Sequence, residues 1–85
     1  MRCTVTWDPQ VEEELARAWT IARNRQAITD AANWIDDELA VDPHAKGEAF
    51  YGDRILVREP LAVTFSIHPD DCLVRVLQVW FQAES

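Results

Sequence analysis

Arg2-Cys3-Thr4-Val5-Thr6-Trp7-Asp8-Pro9 sets the architecture from the first residues of the chain. Cys3, Val5 and Trp7 alternate with Arg2, Thr4 and Thr6, the period-two pattern of a half-buried strand. Asp8-Pro9 then marks a helix start. Asp8 is suited to cap the free N–H groups, and Pro9 fits the first helical position because it has no N–H to leave unpaired. Glu12, Glu13 and Glu14 fall in the early turns, where the helix dipole favours negative charge. The chain thus passes directly from strand to helix.

Downstream, Val11, Leu15, Ala18, Trp19 and Ala22 follow helical spacing, and Ile28, Ala31, Ala32, Ile35 and Leu39 form a second stripe. Arg23-Asn24-Arg25 separates them. Asn24 is a candidate cap for a second helix, but no Gly or Pro forces a break, so residues 10–40 read as a helical hairpin or as one long bent helix. Asp42-Pro43 ends this block, since Pro disfavours helical backbone in the residue before it.

Residues 44–53 read as a loop containing Gly47 and Gly52. Three strands follow: Arg54 to Arg58, Leu61 to Ile67 and Leu73 to Phe81. Glu59-Pro60 and His68-Pro69-Asp70-Asp71 form the turns. Leu61, Val63, Phe65 and Ile67 share one face of the middle strand. The last strand is apolar on both faces, which predicts an interior position in the sheet. The order is β-α-α-β-β-β, and the economical solution is an α+β fold: an antiparallel-rich sheet with a helical hairpin packed on one face.

At 85 residues the chain has the length of one domain, 1–85. Nearly half its residues are hydrophobic, at 48%, which suffices for one core. Apolar runs such as Val79-Trp80-Phe81 fall far short of the ~20 residues a membrane helix needs. Met1-Arg2-Cys3 leads straight into the strand without the pattern of a signal peptide. The expected location is therefore cytoplasmic, and Cys3 and Cys72 are expected to be reduced thiols. No Cys or His pair has metal-ligand spacing, so no metal or cofactor is expected.

Net charge is −7, from 8 Lys+Arg against 15 Asp+Glu. Such a balance opposes RNA, DNA or a ribosome surface at long range and argues against direct nucleic-acid binding.

Several motifs together resemble the RelE/ParE toxin superfamily of type II toxin–antitoxin modules, which includes plasmid-stabilisation toxins. The opening strand ends in an aromatic followed by a helix-starting pair, Val5-Thr6-Trp7-Asp8-Pro9. The second helical arm closes with Ile35-Asp36-Asp37-Glu38-Leu39 and Asp42-Pro43. A Gly-containing loop with Gly47, the strand Arg54-Ile55-Leu56-Val57 and the closing Val76-Leu77-Gln78-Val79-Trp80 complete the likeness. It spans nearly the whole chain.

The resemblance implies one of two activities. RelE-like members are ribosome-dependent mRNA endonucleases with basic residues on the central strands and near the end of the last strand, often with a Tyr or His near the C-terminus. ParE-like members lack that set and are similar to poisons of DNA gyrase. Both are neutralised by an antitoxin segment wrapped over the toxin.

RNA cleavage needs proton transfer at the 2′-OH and leaving oxygen, and positive charge for the transition state. Ala62 stands where the endonuclease branch places an Arg, and Phe81 and Gln82 where it places a Lys or Arg. Catalytic residues are therefore not assigned. If the chain were an enzyme, endoribonuclease would be its class, using Arg54, Arg75 and His68. A non-toxic binding module is a third reading.

Candidate partner-binding residues are Arg54, Arg58, Arg75, Trp80 and Phe81, with Arg75 foremost because it lies in an otherwise apolar strand. The bland alternative pairs the three arginines with Asp53, Glu59 or Asp71. His44, His68 and Tyr51 sit in loop or turn context, where a general-base role is the exception and packing the rule. Asp36-Asp37-Glu38 reads as a solvated helix end. Trp7 and Trp19 fit the core stripes, Trp34 lies off its stripe, and Trp80 and Phe81 point to opposite faces. The expected partners are a cognate antitoxin and DNA gyrase or another protein target, gripped by the sheet surface facing away from the helices.

Overall fold

A computed structural model of the chain describes residues 2–82. Strand β1 (Thr4–Trp7) leads into helices α1 (Pro9–Ile21) and α2 (Arg25–Ala40), followed by β2 (Glu48–Phe50), β3 (Asp53–Arg58), β4 (Leu61–His68) and β5 (Leu73–Phe81). Single turns of 3-10 helix lie at Pro43–Ala45 and Pro69–Asp71. The sheet order is β1-β5-β4-β3-β2, with β1 parallel to β5 and the other neighbours antiparallel. This is the expected α+β architecture with one strand more. Among the described residues no helix is long and apolar enough to cross a membrane.

The helical segment breaks into two arms. Ala22 is extended, and the Asn24 side chain accepts a hydrogen bond from the Ala27 N–H at 3.1 Å, capping α2. The start of α1 differs from expectation. The Asp8 side chain makes no cap; its backbone carbonyl receives the Val11 and Glu12 N–H groups, while its carboxylate is drawn to Arg75.

The added strand β2 lies inside the segment read as a loop. It pairs with β3 through a two-residue turn, Tyr51-Gly52, with both residues at positive φ (46° and 87°). Paired positive φ values match the right-handed twist of a hairpin and usually call for Asn or Asp at the first position. Tyr in that place hid the turn, and its ring stands 94% exposed, set edge-on to the neighbouring Phe50 ring. Gly47, ahead of β2, has φ 69°, and a Cβ there would collide with the Ile55 carbonyl oxygen.

The core lies between the helices and one sheet face. Val11 and Ala18 of α1 and Ile28, Ala31, Ile35 and Leu39 of α2 meet Leu61, Val63 and Phe65 of β4 and Val74 and Val76 of β5. Strand β5 is interior, flanked by β1 and β4. Its two-sided apolar pattern has another cause than burial on both faces. Thr64 pairs with Gln78 and Phe65 with Val76, so Leu77 is an extra, bulged residue. The bulge shifts the side-chain parity by one. Val74 and Val76 before it and Val79 and Phe81 after it all face the helices, while Leu73, Arg75, Gln78 and Trp80 face away.

The expectation of two reduced thiols is overturned: Cys3 and Cys72 form a disulfide, with Cα atoms 4.7 Å apart. The reason is register. Thr4 pairs with Leu73 in the parallel β1–β5 ladder, so the residue before each strand meets its counterpart.

Candidate partner surfaces

Because the helices cover one face only, the opposite sheet face is open. Register assigns it Thr4 and Thr6 of β1, Arg75 and Trp80 of β5, Ser66 and His68 of β4, Val57 of β3 and Phe50 of β2. The Phe50 and Trp80 rings meet edge to face with centroids 6.1 Å apart. Their strands are three places apart in the sheet, ~14 Å laterally if it were flat. The sheet therefore curls toward this side, and β2 bends over it. Trp80 remains 43% exposed and Val57 58% exposed on this face.

The five candidate residues divide between the two faces. Arg75 and Trp80 lie on the open face. Arg54, Arg58 and Phe81 lie on the helix side. Arg54 donates from Nε to the Lys46 carbonyl at 2.9 Å and from Nη2 to the Gly47 carbonyl at 3.0 Å, clamping the segment before β2. The Arg58 guanidinium stacks on the Trp34 ring of α2, 4.9 Å from its centroid. Phe81 packs against the core beside Leu61 and Val79. Sequence reading missed this division because an arginine on a strand gives no sign of which face it takes until the register is known.

The partners expected for the arginines also differ. Arg75 Nη2 binds Asp8 Oδ1 at 2.9 Å, not Asp71. Arg54 is satisfied by carbonyls, and Arg58 by an aromatic face. Glu38, expected to be solvated, pairs with Lys46 Nζ at 3.3 Å. Asp36 accepts the Trp7 indole N–H at 3.1 Å, tying β1 to α2.

Electrostatically the open face is poor in cations. Register gives it Arg75, with Arg2 continuing the same alternation ahead of β1, against the carboxylates of Glu48 and Asp53, and Arg75 is already engaged by Asp8. Ala62 does face this side, beside Trp80, at the place read as lacking an arginine. Ser66 lies opposite Arg75, and its Oγ is 3.3 Å from His68 Nε2. His44 is exposed and lines the disulfide cleft. No cluster of His, Cys, Asp or Glu able to hold a metal occurs among the described residues.

A second surface lies between the helices, where sequence reading placed core. Trp19 is 42% exposed. It sits one residue, ~100° of helix rotation, past the buried Ala18, at the edge of a stripe wider than the sheet can cover. Arg25 holds it there. Its Nε and Nη2 donate to the Trp19 and Thr20 carbonyls at the end of α1, both at 3.1 Å, and its guanidinium covers the indole at 4.6 Å. The helices splay apart beneath, leaving an apolar groove of about 380 Å³ with Leu15, Ala16, Ile28 and Ala32 in its wall. The groove runs on into a recess beside Trp7, Glu12 and Asp36. The signal available in the sequence was the pairing of Trp19 with a cation a short turn away and with alanines on both facing helices.

No protein-family profile matches the chain, and no curated protein matches its sequence. Solved structures do match in shape. A chain of the toxin–antitoxin complex RelBE2 from Mycobacterium tuberculosis superposes with a TM-score of 0.76 at 15% identity, covering 99% of this chain and 95% of that one. A chain of the chromosomal ParDE toxin–antitoxin system of P. aeruginosa gives 0.64 at 15% identity, covering 96% and 97%. The chain shares the fold of a chain from each of these two toxin–antitoxin systems over nearly its whole length.

Proposed function

We propose that the chain is the toxin of a type II toxin–antitoxin pair, a single cytoplasmic domain that acts by gripping another protein, in the ParE-like manner, and is neutralised by an antitoxin. The observation that carries this reading is the charge of the open sheet face: its strand arginine, Arg75, is engaged by Asp8, while Arg54 and Arg58 are turned to the helix side. RNA cleavage draws its rate from preorganised cations and donors around the phosphate, and each one missing costs roughly 3–4 kcal/mol of barrier. The exposed Trp80 beside Phe50 on this face suits protein contact instead. The interhelical groove with Trp19 suits an amphipathic antitoxin helix, and the acidic rim at Glu12 and Asp36 favours a basic one.

A second reading, a ribosome-dependent endonuclease, is favoured by the grouping of Arg75, Ser66 and His68 at one end of the open face. One experiment separates the readings. The protein is induced with and without its neighbouring small gene, and growth, ribosome-bound transcripts and plasmid supercoiling by gyrase are followed together. Growth arrest with intact transcripts supports the protein-gripping toxin, and changed supercoiling names gyrase as the target. Cleaved transcripts refute it in favour of the endonuclease. Antitoxin capture without arrest identifies a non-toxic binding module.

A further inference from the structure

The two cysteines of the chain are joined at the one place where the sheet is held by distant pairing. Strands β2 to β5 follow one another as antiparallel neighbours through short connections. Strand β1 is different: its parallel partner β5 lies more than sixty residues along the chain, and the disulfide closes a separation of 69 residues. Such a contact carries the full entropy cost of a long loop. β1 is only four residues long and stands at the sheet edge. Three tethers lie beside the sulfurs, Cys3 N–H to the Ala40 carbonyl at 2.7 Å, Thr4 N–H to the Cys72 carbonyl at 2.9 Å, and a bridge between Arg2 and Val41, while the Trp7 end is held separately by Asp36 and by the Asp8 N–H on the Val76 carbonyl.

Both cysteines are only half-buried. Cys3 and Cys72 line an open surface cleft of about 240 Å³ with Asp42, Pro43, His44 and Ile67. Thiol–disulfide exchange requires a thiolate to approach a sulfur, so an open cleft is the condition for reduction of the folded protein. In a reducing compartment an accessible disulfide acts as a transient, sensing bond rather than as a fixed staple.

We propose that Cys3–Cys72 is a reversible redox clasp on edge strand β1. A small thiolate attacks one sulfur, forming a mixed disulfide and releasing the other cysteine as a thiolate. A second thiol then displaces the first cysteine. The balance is one protein disulfide and two small thiols giving two cysteine thiols and one small-molecule disulfide, with two electrons and two protons passing to the protein. The reduced chain keeps the core between the helices and β3 to β5 but loosens β1. Because Trp7 of β1 donates to Asp36 at the end of the interhelical groove, the clasp also governs the shape of that groove.

The test uses the full chain alone, so its outcome is independent of toxin activity or partner. Oxidised protein is treated with millimolar dithiothreitol without denaturant, and thiol alkylation, amide exchange and melting are measured. Both cysteines are expected to alkylate while the protein stays folded. The amides of Cys3 and Thr4 are expected to exchange at least about tenfold faster while those of β4 change least. The melting temperature is expected to fall by on the order of 10 °C or more. Reoxidation is expected to restore all three, and the Cys3→Ser/Cys72→Ser double variant to ignore the reductant. If that variant does not fold, the reduction and reoxidation cycle of the native chain carries the test. A bond that resists reduction until the protein unfolds, a reduced chain that unfolds altogether, or one with unchanged exchange at Cys3 and Thr4 overturns the clasp.

Discussion

Arg75 Nη2 lies 2.9 Å from Asp8 Oδ1, and this pair joins the first part of β5 to the junction between β1 and α1. Two features of the molecule meet in it. The acidic residue at the helix start is taken from capping, and the arginine placed by register on the open sheet face is neutralised there. A strand–helix junction and a surface potential are thereby set by one contact.

Asp8→Asn tests the structural half of that contact. The Arg75 side chain is 48% exposed, so solvent screens the attraction, and exposed pairs of this kind contribute about 0–1 kcal/mol. Asp8 provides no side-chain cap, so no further loss is added. The expected fall in melting temperature is a few degrees at most, shrinking as salt is raised. A loss above about 2 kcal/mol in denaturant melts would show that the carboxylate has a larger structural role than the geometry assigns to it.

Arg75→Ala tests the functional half. If the open face works by apolar contact around Trp80 and Phe50, removal of Arg75 leaves growth arrest within about threefold of the native chain, whereas Trp80→Ala abolishes most of it. If phosphate chemistry takes place there, the order reverses, because an arginine beside a transferring phosphate contributes several kcal/mol and an exposed indole little. Growth after induction of each variant decides between them, provided that both accumulate to native levels.

The same residues show how far the sequence could be read. The stripe of α2 and the alternation of β4 translate directly into burial, because each period matches one regular element: Ile28, Ala31, Ile35 and Leu39, and Leu61, Val63 and Phe65, are all buried. Where local backbone departs from regularity, pattern reading loses its footing. Leu77 breaks the period of β5 by one, which turned an ordinary one-sided strand into a seemingly two-sided one. Tyr51 adopts positive φ without a residue type that announces it. The Cys3–Cys72 bond and the opposite faces of Arg54 and Arg75 depend on which strands pair in which register, and that is decided by contacts across most of the chain. The candidate site was thus legible in its residue types and not in its assembly.

Gly47 and Gly52 both have positive φ but face different surroundings, which separates backbone strain from steric collision. At Gly52 an added Cβ meets nothing within 4 Å, so Gly52→Ala carries only the left-handed backbone penalty, roughly 1–2 kcal/mol. At Gly47 the Cβ strikes the Ile55 carbonyl oxygen and lies 3.3 Å from the buried Phe65 ring. Backbone oxygen in a paired strand cannot move aside without breaking the sheet. Gly47→Ala is therefore expected to cost at least about 1–3 kcal/mol more than Gly52→Ala, readable as clearly separated melting temperatures. Equal losses at the two sites would mean that the segment before β2 shifts freely, against the clamp that Arg54 places on its carbonyls.

The interhelical groove makes the sharpest demand on the proposed antitoxin contact. Trp19 is 42% exposed and lies under Arg25 at the groove mouth, an aromatic beside an arginine as interface anchors commonly are. It is only partly buried in the free chain, so Trp19→Ala is expected to lower stability modestly, by about 1 kcal/mol including the lost cation–π contact. If a basic amphipathic antitoxin helix occupies the groove as proposed, the indole is buried on binding, and the same substitution is expected to weaken binding by roughly 2 kcal/mol or more, some thirtyfold in Kd. Tyr51→Ala, at a 94% exposed ring on the far hairpin, is the control expected to leave both quantities unchanged. Calorimetric titration of each variant with the antitoxin, alongside its melting curve, gives the comparison. Affinity that falls no further than stability would remove the groove from the interface and leave the open sheet face as the surface on which the antitoxin must lie.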